Sequence, residues 1–356
     1  MVAMATMVAS FRVSVDQWLA RVLPADIYVR PASAPAGSLG STTATFSEED
    51  QRTLSGHPKV ERAEFSLNLK ITLDPARAPV SLIARPVDRS QAARKLPLTG
   101  PALAWREGMP PPAWVSEAIV DIYGARVGGE IRLPIAGQAQ KFVVAGVWRD
   151  YARQFGAVIV DIGDHARLAG PAAPTEAALW LTPGASAAEV MADLQPRMRL
   201  QSAEFASAGE IRAISLRIFD RSFAVTYVLE LAAIVIGLTG IAATFSAQAI
   251  VRMREFGMLR HLGVTPRQIL TLLAIEGLLV TALAIVIGLV VGLAIAWILV
   301  DFVNPQSFHW TMDFRVPLML VAGLIVALLA AAALTALAAG RRAVAADAVL
   351  AVRADW

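Results

Sequence analysis

The side chains able to do chemistry are few and scattered. The chain has no cysteine, which removes disulfides, thiolate metal sites and Cys nucleophiles. The four histidines, His57, His165, His261 and His309, share no metal-ligand spacing. Asp161, Asp164 and His165 stand close together, but a catalytic set needs a placed nucleophile or a third partner, and the sequence offers neither. They read as a polar loop. Ser116-Glu117, within WVSEAI, reads as a helix cap rather than a nucleophile beside its base. No GxxxxGK(S/T) loop is present, so nothing in the chain is built to cradle the phosphates of ATP in the usual way. A net charge of +3 gives no basic footprint for nucleic acid. These observations point away from an enzyme, and toward a chain that binds no metal or cofactor of its own.

Two carboxylates carry a different signal, because of where they stand. Of the 356 residues 56% are hydrophobic and only 17% charged, against about 45–50% and about 25% in soluble domains. The apolar excess is concentrated in 223–356, which holds 8 Lys and Arg and 7 Asp and Glu, against 24 and 22 in 1–222. Three apolar runs follow one another there: 223–248 with Glu230 as its one charge, 269–300 with Glu276 as its one charge, and 316–340 with none. Each has the ~20 apolar residues that a membrane-spanning helix needs. The second, at about 1.5 Å per residue, reaches about 48 Å and exceeds the ~30 Å hydrocarbon core. It must tilt, kink at Gly277, or project from the bilayer. A buried carboxylate in lipid demands a partner or an interface, so Glu230 and Glu276 are expected near the membrane surfaces or bonded between helices. Small residues at every fourth position, Ala284, Gly288, Gly292 and Ala296 in the second run and Ala327, Ala331, Thr335 and Ala339 in the third, would let helices approach closely. Gly288 and Gly292 are the strongest of these.

Charge orients the spans. Residues 249–268 carry Arg252, Arg254, Arg260 and Arg267 against Glu255, and the tail carries Arg341, Arg342 and Arg353, while 301–315 holds Arg315 alone among basic residues. The positive-inside rule places 249–268 and the tail in the cytoplasm and the 301–315 loop outside. Residues 1–222 then lie outside as well, in the periplasm of a bacterium.

The apolar stretch 1–10 reads as the remnant of a membrane helix. Phe11, Val15, Trp18, Leu19 and Val22 recur at helical spacing between polar residues, which predicts an amphipathic helix ended by Pro24. The Pro-, Ser- and Gly-rich stretch 31–45 reads as a loop, and Ser47 before Glu48-Glu49-Asp50 starts a helix. Strands are expected at 63–69, 80–83, 130–133, 141–148, 157–161 and 178–182, and helices at 116–123, 186–198 and 210–223. The expected architecture is a membrane protein: a periplasmic α+β domain over 11–222 with flanking amphipathic helices, then a transmembrane domain of three α-helices over 223–356.

Between the first two spans lies VRMREFGMLRHLGVTPRQIL. Phe256, Leu259 and Leu262 can share one apolar helix face, with Arg254, Glu255 and Arg260 polar. Gly263 stops the helix, and Thr265 with Pro266 restarts the next as N-cap and first residue. A short cytoplasmic helix over 252–263, part apolar and part basic, suits docking to a soluble protein.

The run REFGMLRHLGVTPRQI, followed by Glu276-Gly277, resembles the signature of FtsX-like ABC-transporter permeases, including those of lipoprotein release and MacB-type export. WVSEAIVDIYGARVGGEIRLP and FVVAGVWRDYARQFGAVIVD resemble the family's periplasmic domain. SFRVSVDQWLARVLPADIYV resembles the stretch after its first span, and AVLAVRADW its ending. A complete family unit has four spans. This chain has three and a stub, and so resembles the C-terminal unit of a duplicated permease. The resemblance implies a permease subunit of the bacterial inner membrane, coupled by mechanotransmission to a separate cytoplasmic ABC ATPase that uses the ATP. Arg254, Glu255, Phe256, Gly257, Met258, Leu259, Arg260, Leu262 and Gly263 would form the docking helix. It further implies a second permease copy or half, contact with membrane lipid, and a lipoprotein, lipid or peptide as the exported or extracted substrate. The alternative it leaves open is a signal relay that moves no substrate and activates a periplasmic partner such as a cell-wall hydrolase. The orientation is testable directly: a reporter fused at Ser307 should register the periplasm and one at Val264 the cytoplasm, and the reverse pattern would overturn the charge argument.

Overall fold

The computed structural model describes residues 1–31, 44–89, 92, 96–198 and 203–345. The expected 31–45 loop and the AVLAVRADW ending fall largely outside these. The chain forms two compact units. One gathers Arg12–Phe219 with Val303–Met312, and the other gathers Met1–Phe11, Asp220–Phe302 and the chain from Asp313 onward. The helical unit thus takes in the N-terminal stub, and the α+β unit takes in ten residues from between the second and third apolar runs.

The elements run α1 (Val2–Val22), β1 (Ile27–Pro31), α2 (Glu48–Ser55), β2 (Val60–Ile71), β3 (Val80–Arg85), β4 (Pro112–Ser116), α3 (Glu117–Tyr123), β5 (Glu130–Ile135), β6 (Gln138–Trp148), β7 (Ala157–Asp161), α4 (Ile162–Ala169), β8 (Glu176–Leu181), α5 (Ala187–Leu194), β9 (Ala203–Ser207) and α6 (Ala208–Ser222). The strands hydrogen-bond in the order β5-β6-β4-β7-β3-β2-β8-β1-β9. The β3–β7 and β4–β6 pairs are parallel and the remainder antiparallel. β2 is the strand that both halves share. Its Val60–Ser66 stretch pairs with β8, and its Leu67–Ile71 stretch pairs with β3. Each half buries its own core. Ile27, Phe46, Leu54, Leu179 and Leu194 fill one, and Leu82, Val115, Ile119, Phe142 and Val158 fill the other.

Every residue of β4 is buried, as are the first four of β7. Strands covered on both faces lose the alternating pattern, which is why the uniformly apolar β7 is legible in sequence. β4 opens on Pro112 after two further prolines and was not among the expected strands, yet proline is tolerated as the first residue of a strand. β1 and β9 were likewise not expected. β9, AEFAS, has weak strand propensity and is held by its backbone ladder to β1.

Two local expectations are corrected. Ser116 does occupy the N-cap position of α3, but its hydroxyl makes no cap bond. It accepts instead from the Ala157 N–H at 2.9 Å, tying the start of α3 to β7. Asp161, Asp164 and His165 form not a loop but the start of α4. Asp161 caps the N–H groups of Gly163 and Asp164 and also accepts from the Val87 N–H. The Asp164 carboxylate, fully buried, takes both oxygens to Arg89 at 2.6 and 2.8 Å and also meets Arg167. Burial pushes the His165 imidazole below its usual pKa.

In the α+β unit α1 and α6 are strapped together by a bidentate pair, Arg212 Nε and Nη2 to the two Asp16 oxygens at 2.7 and 2.6 Å. The guanidinium holds the Asp16 carboxyl below the usual carboxylate range. The strap is therefore made above that range and is lost as pH falls through the lowered value.

The chain continues with α7 (Ala224–Val251), α8 (Met253–His261), α9 (Pro266–Ile298), a π-helical turn over Leu299–Val303, α10 (Asn304–Phe308), which counts with the α+β unit, and α11 (Leu318–Ala345). Helices long and apolar enough to span a membrane are Ala224–Gln248, Pro266–Phe308 and Leu318–Ala338. α9 is helical straight through Gly277, the candidate position for a kink, and its irregularity comes at Leu299–Val303. The predicted 301–315 loop is helical as far as Phe308.

Gly156 is the glycine this packing most depends on. It precedes β7 with φ +95°, and an added Cβ would stand 2.6 Å from Ile119 Cδ1. Gly184, at φ +84°, has open space around it. Gly184→Ala should cost about 1 kcal/mol from the left-handed backbone alone. Gly156→Ala should cost about 2–4 kcal/mol, since overpacking adds to the same strain. Thermal melts of the full chain in detergent check this, with equal losses at the two sites counting against the packing argument.

Candidate functional site

The corner between the first two spans is built almost wholly from local sequence. Gly263, at φ +90°, lets the chain turn back after α8. The Gly263 N–H then donates to Arg260 O and the Val264 N–H to Leu259 O, which is the doubly bonded glycine stop. Thr265 restarts the chain at once in a capping box with Gln268, and Pro266 is the first helical residue. The link from α8 to α9 therefore has no slack residue.

Packing fixes how α8 lies. Phe256 is 1% exposed and sits against Ile269 and Leu273, with Leu259 and Val264 beside it. At about 100° per residue, Phe256 and Leu259 share one side of α8, while Arg254, Met258 and Leu262 lie on the other. Met258 is 62% and Leu262 81% exposed. This corrects the single apolar face expected over Phe256, Leu259 and Leu262. The first two are spent inside the corner, and only Leu262 faces out, next to Met258. Gly257 is buried as well, while Arg254, Glu255, Arg260 and Gly263 are exposed.

Charge closes the corner. Arg252 donates to Glu255 at 2.9 Å and to Glu276 at 2.6 Å. Those two carboxylates, Glu255 first, hold its guanidinium above the ordinary pKa. Glu276 thus has a cation from the preceding helix end. Arg252 was read only as part of the basic loop; a lone carboxylate in an apolar run is the signal that a nearby cation must answer it. Glu230 is placed differently: its Oε1 is buried and has no hydrogen-bond partner among the described residues.

The small-residue stripes are shifted from expectation. On α9, Ile269, Leu273, Gly277 and Thr281 are buried at every fourth position. An added Cβ at Gly277 would lie 3.1 Å from the Phe245 ring and 3.3 Å from Ala336. One at Gly292 would lie 2.9 Å from Val2 Cβ, whereas Gly288 has no neighbour within 4 Å. On α11 the close-packed positions are Ala332, Ala336 and Gly340, one residue on from the expected stripe. Thr335 turns back to Ala331 O at 2.8 Å.

Among the described residues, three helices of membrane length, with basic residues concentrated in 249–268 and the tail, define an integral membrane protein with a large extracytoplasmic domain. Residues 227–348, the membrane part, match the family described as FtsX-like permease C-terminal. The chain is similar to the uncharacterized ABC transporter permease protein Rv0987 of Mycobacterium tuberculosis, at 28% identity over 327 residues. That alignment takes in 88% of this chain and 37% of the relative, so the chain spans little more than a third of the relative's length. Similar solved structures include the periplasmic region of MacB from Actinobacillus actinomycetemcomitans, at 10% identity and TM-score 0.38 over 55% of this chain and 94% of that one. Another is the extracellular domain of the ABC-type transporter YknZ from Gram-positive bacteria, at 11% identity and TM-score 0.34 over 51% and 98%.

The ion pair gives a separable prediction. Arg252→Met leaves Glu276 without its cation and should destabilise the corner by about 2 kcal/mol. Adding Glu276→Gln should recover at least half of that. Protease sensitivity of residues 252–268 in nanodiscs reads the difference, and additive losses would remove the pair from the account.

Proposed function

We propose that the chain is a permease subunit of an ABC transporter that works by mechanotransmission. A separate cytoplasmic ATPase docks on α8, and closure of that ATPase moves α8 and, with it, α9. The observation that carries the reading is the division of labour within α8. Phe256, Leu259 and the Arg252–Glu276 pair lock one side to α9, while Met258 and Leu262 are exposed on the other. A helix braced in this way transmits a push instead of rolling under it. Exposed apolar side chains ringed by charges are what a docking patch on a soluble partner requires. Gly288 and the exposed apolar residues around it on α9 leave a surface for a second permease copy or half, or for lipid. The substrate class this reading carries is a lipoprotein, lipid or peptide, exported or extracted on the periplasmic side.

Mild-detergent purification of the tagged chain from its host, with mass spectrometry of the copurifying proteins, tests the reading. Wild type should bring down an ATPase with a phosphate-binding loop. Met258→Asp with Leu262→Asp should reduce that recovery at least tenfold while the chain keeps its melting temperature, because both side chains are already exposed. An ATPase recovered equally by the double variant would sink the docking assignment, and its absence from wild type would sink the permease reading.

A further inference from the structure

The α+β unit covers its large apolar side chains selectively. Among the described residues, none on a strand or on α2, α4 or α5 is exposed. Those that are exposed lie on elements joined or bonded to the membrane-length helices. Val13 is on α1 and Ile214 and Ile218 are on α6, the two helices that run on in sequence into the helical unit. Val303 and Phe308 close the apolar helical run Pro266–Phe308. Val127 follows α3, which bonds the 303–312 segment through Glu117. The remaining one, Phe155, is 53% exposed and stands in the loop between β6 and β7. Apolar side chains segregated to one set of elements mark an interaction surface.

The loop holds Phe155 outward. The Asp150 carboxylate is buried, accepts from the Ala152 N–H at 2.9 Å and pairs with Arg153 at 3.1 Å. The Gly156 N–H donates to Arg153 O at 3.0 Å, which closes a four-residue turn with Phe155 at its third position. Gly156, at φ +95°, ends the turn against Ile119. A slack loop could fold an aromatic ring back onto its own surface. This one is pinned on both sides of the ring, so the ring stays in solvent unless another apolar surface covers it.

The loop's neighbours identify that surface. Arg149 and Tyr151 donate to Thr311 Oγ1 and O, at 3.0 and 2.9 Å. The Trp310 ring meets Tyr151 edge-on at 5.5 Å and stacks on Phe308 at 5.3 Å. Thr311 comes three residues after Phe308, where the helical run long and apolar enough to cross a membrane ends. A chain leaving the bilayer has its last apolar residues at the boundary between acyl chains and headgroups, and aromatic side chains concentrate there. The bonds to Thr311 thus tie the loop of Phe155 to the point where Phe308 emerges. Arg153 and Gln154, next to Phe155 in sequence, are polar neighbours of the kind that the headgroup layer solvates.

We propose that Phe155 and Phe308 dip into the outer leaflet of the bilayer and anchor the α+β unit on lipid at the loop between β6 and β7. The partner is a phospholipid surface, entered as far as the start of its acyl chains. This anchor stands apart from the docking helix and does not depend on the proposed transport role.

The chain has no cysteine, so one introduced cysteine carries one nitroxide spin label. Phe155→Cys, Phe308→Cys and Ala188→Cys, the last at an exposed position on α5, are labelled in the full chain in phosphatidylglycerol nanodiscs. Collision rates are read with oxygen, which concentrates in lipid, and with a water-soluble nickel chelate. The oxygen-to-nickel ratio at 155 and 308 should exceed that at 188 by about threefold or more. A label at the exposed neighbour, Gln154→Cys, keeps the native ring. Its ratio should fall by about half or more when Phe155→Asp is added, which shows that the ring and not the label draws the loop to lipid. Unchanged melting temperatures show that each variant keeps its fold. A ratio at 155 equal to that at 188 overturns the anchor. Low access to both reagents at 155 reports a protein contact instead, a second copy included, and overturns it too.

Discussion

A carboxylate set into an apolar helix must be answered by a cation, and the architecture of the first two spans follows from how Glu276 is answered. Arg252 reaches it at 2.6 Å from the end of α7. That bond fixes where α7 stops relative to α9, and α8 has to fit in the short interval that is left. Phe256 then fills the angle against Ile269 and Leu273, and Gly263 supplies the left-handed turn that no side-chain-bearing residue adopts cheaply. Charge, wedge and turn each constrain the same few degrees of freedom. The outward side of α8 is therefore set by what is fixed on its inward side, and Met258 and Leu262 are exposed as a consequence.

Continuity extends the constraint. The apolar helical run that starts at the corner, Pro266, continues through the π-helical turn to Phe308, at about 1.5 Å per residue well beyond the thickness of a hydrocarbon core. Its last residues, from Val303, already count with the α+β unit. They are held there by Glu117, Tyr151 and Arg149 through Thr311. Under the proposed reading, displacement of α8 would travel along one helix and arrive in the extracytoplasmic unit without crossing a loop. The π turn at Leu299–Val303 is the one place on this path where the helical hydrogen-bond ladder changes register.

How much of this could be read from sequence depends on whether the cause is local. The turn at Gly263, the Thr265-Pro266 restart, the capped helix at Ser47 and the apolar strand at 157–161 rest on neighbours a few residues away, and all are legible. β4 hides behind its prolines, and β9 exists because β1 lies beside it. Ser116 looks like a helix cap because the sequence cannot show Ala157 N–H waiting across the sheet. Phe256 looks like a docking residue for the same reason: amphipathicity says that a face is apolar, and not whether it meets its own chain or another. The 303–312 segment is expected outside from its charge, but its place in the α+β unit rests on partners well over a hundred residues away in sequence.

The small-residue stripes show most clearly where periodicity stops being informative. Residues four apart in a helix with 3.6 residues per turn drift by about 40° at each step. A stripe of four such residues therefore sweeps about 120°, too wide for one neighbouring helix to cover. On α9 the structure resolves this by changing neighbours. Near the corner Gly277 accommodates Phe245 and Ala336, and further along Gly292 accommodates Val2. Between them Leu283, Val286, Ile287 and Val290 are each more than half exposed and Gly288 meets nothing. So the most glycine-like signal in the span, the Gly288–Gly292 pair, divides between a closed contact and an open one. Whatever covers the exposed middle of α9 does so on the side that this drift turns away from the helices of the same chain.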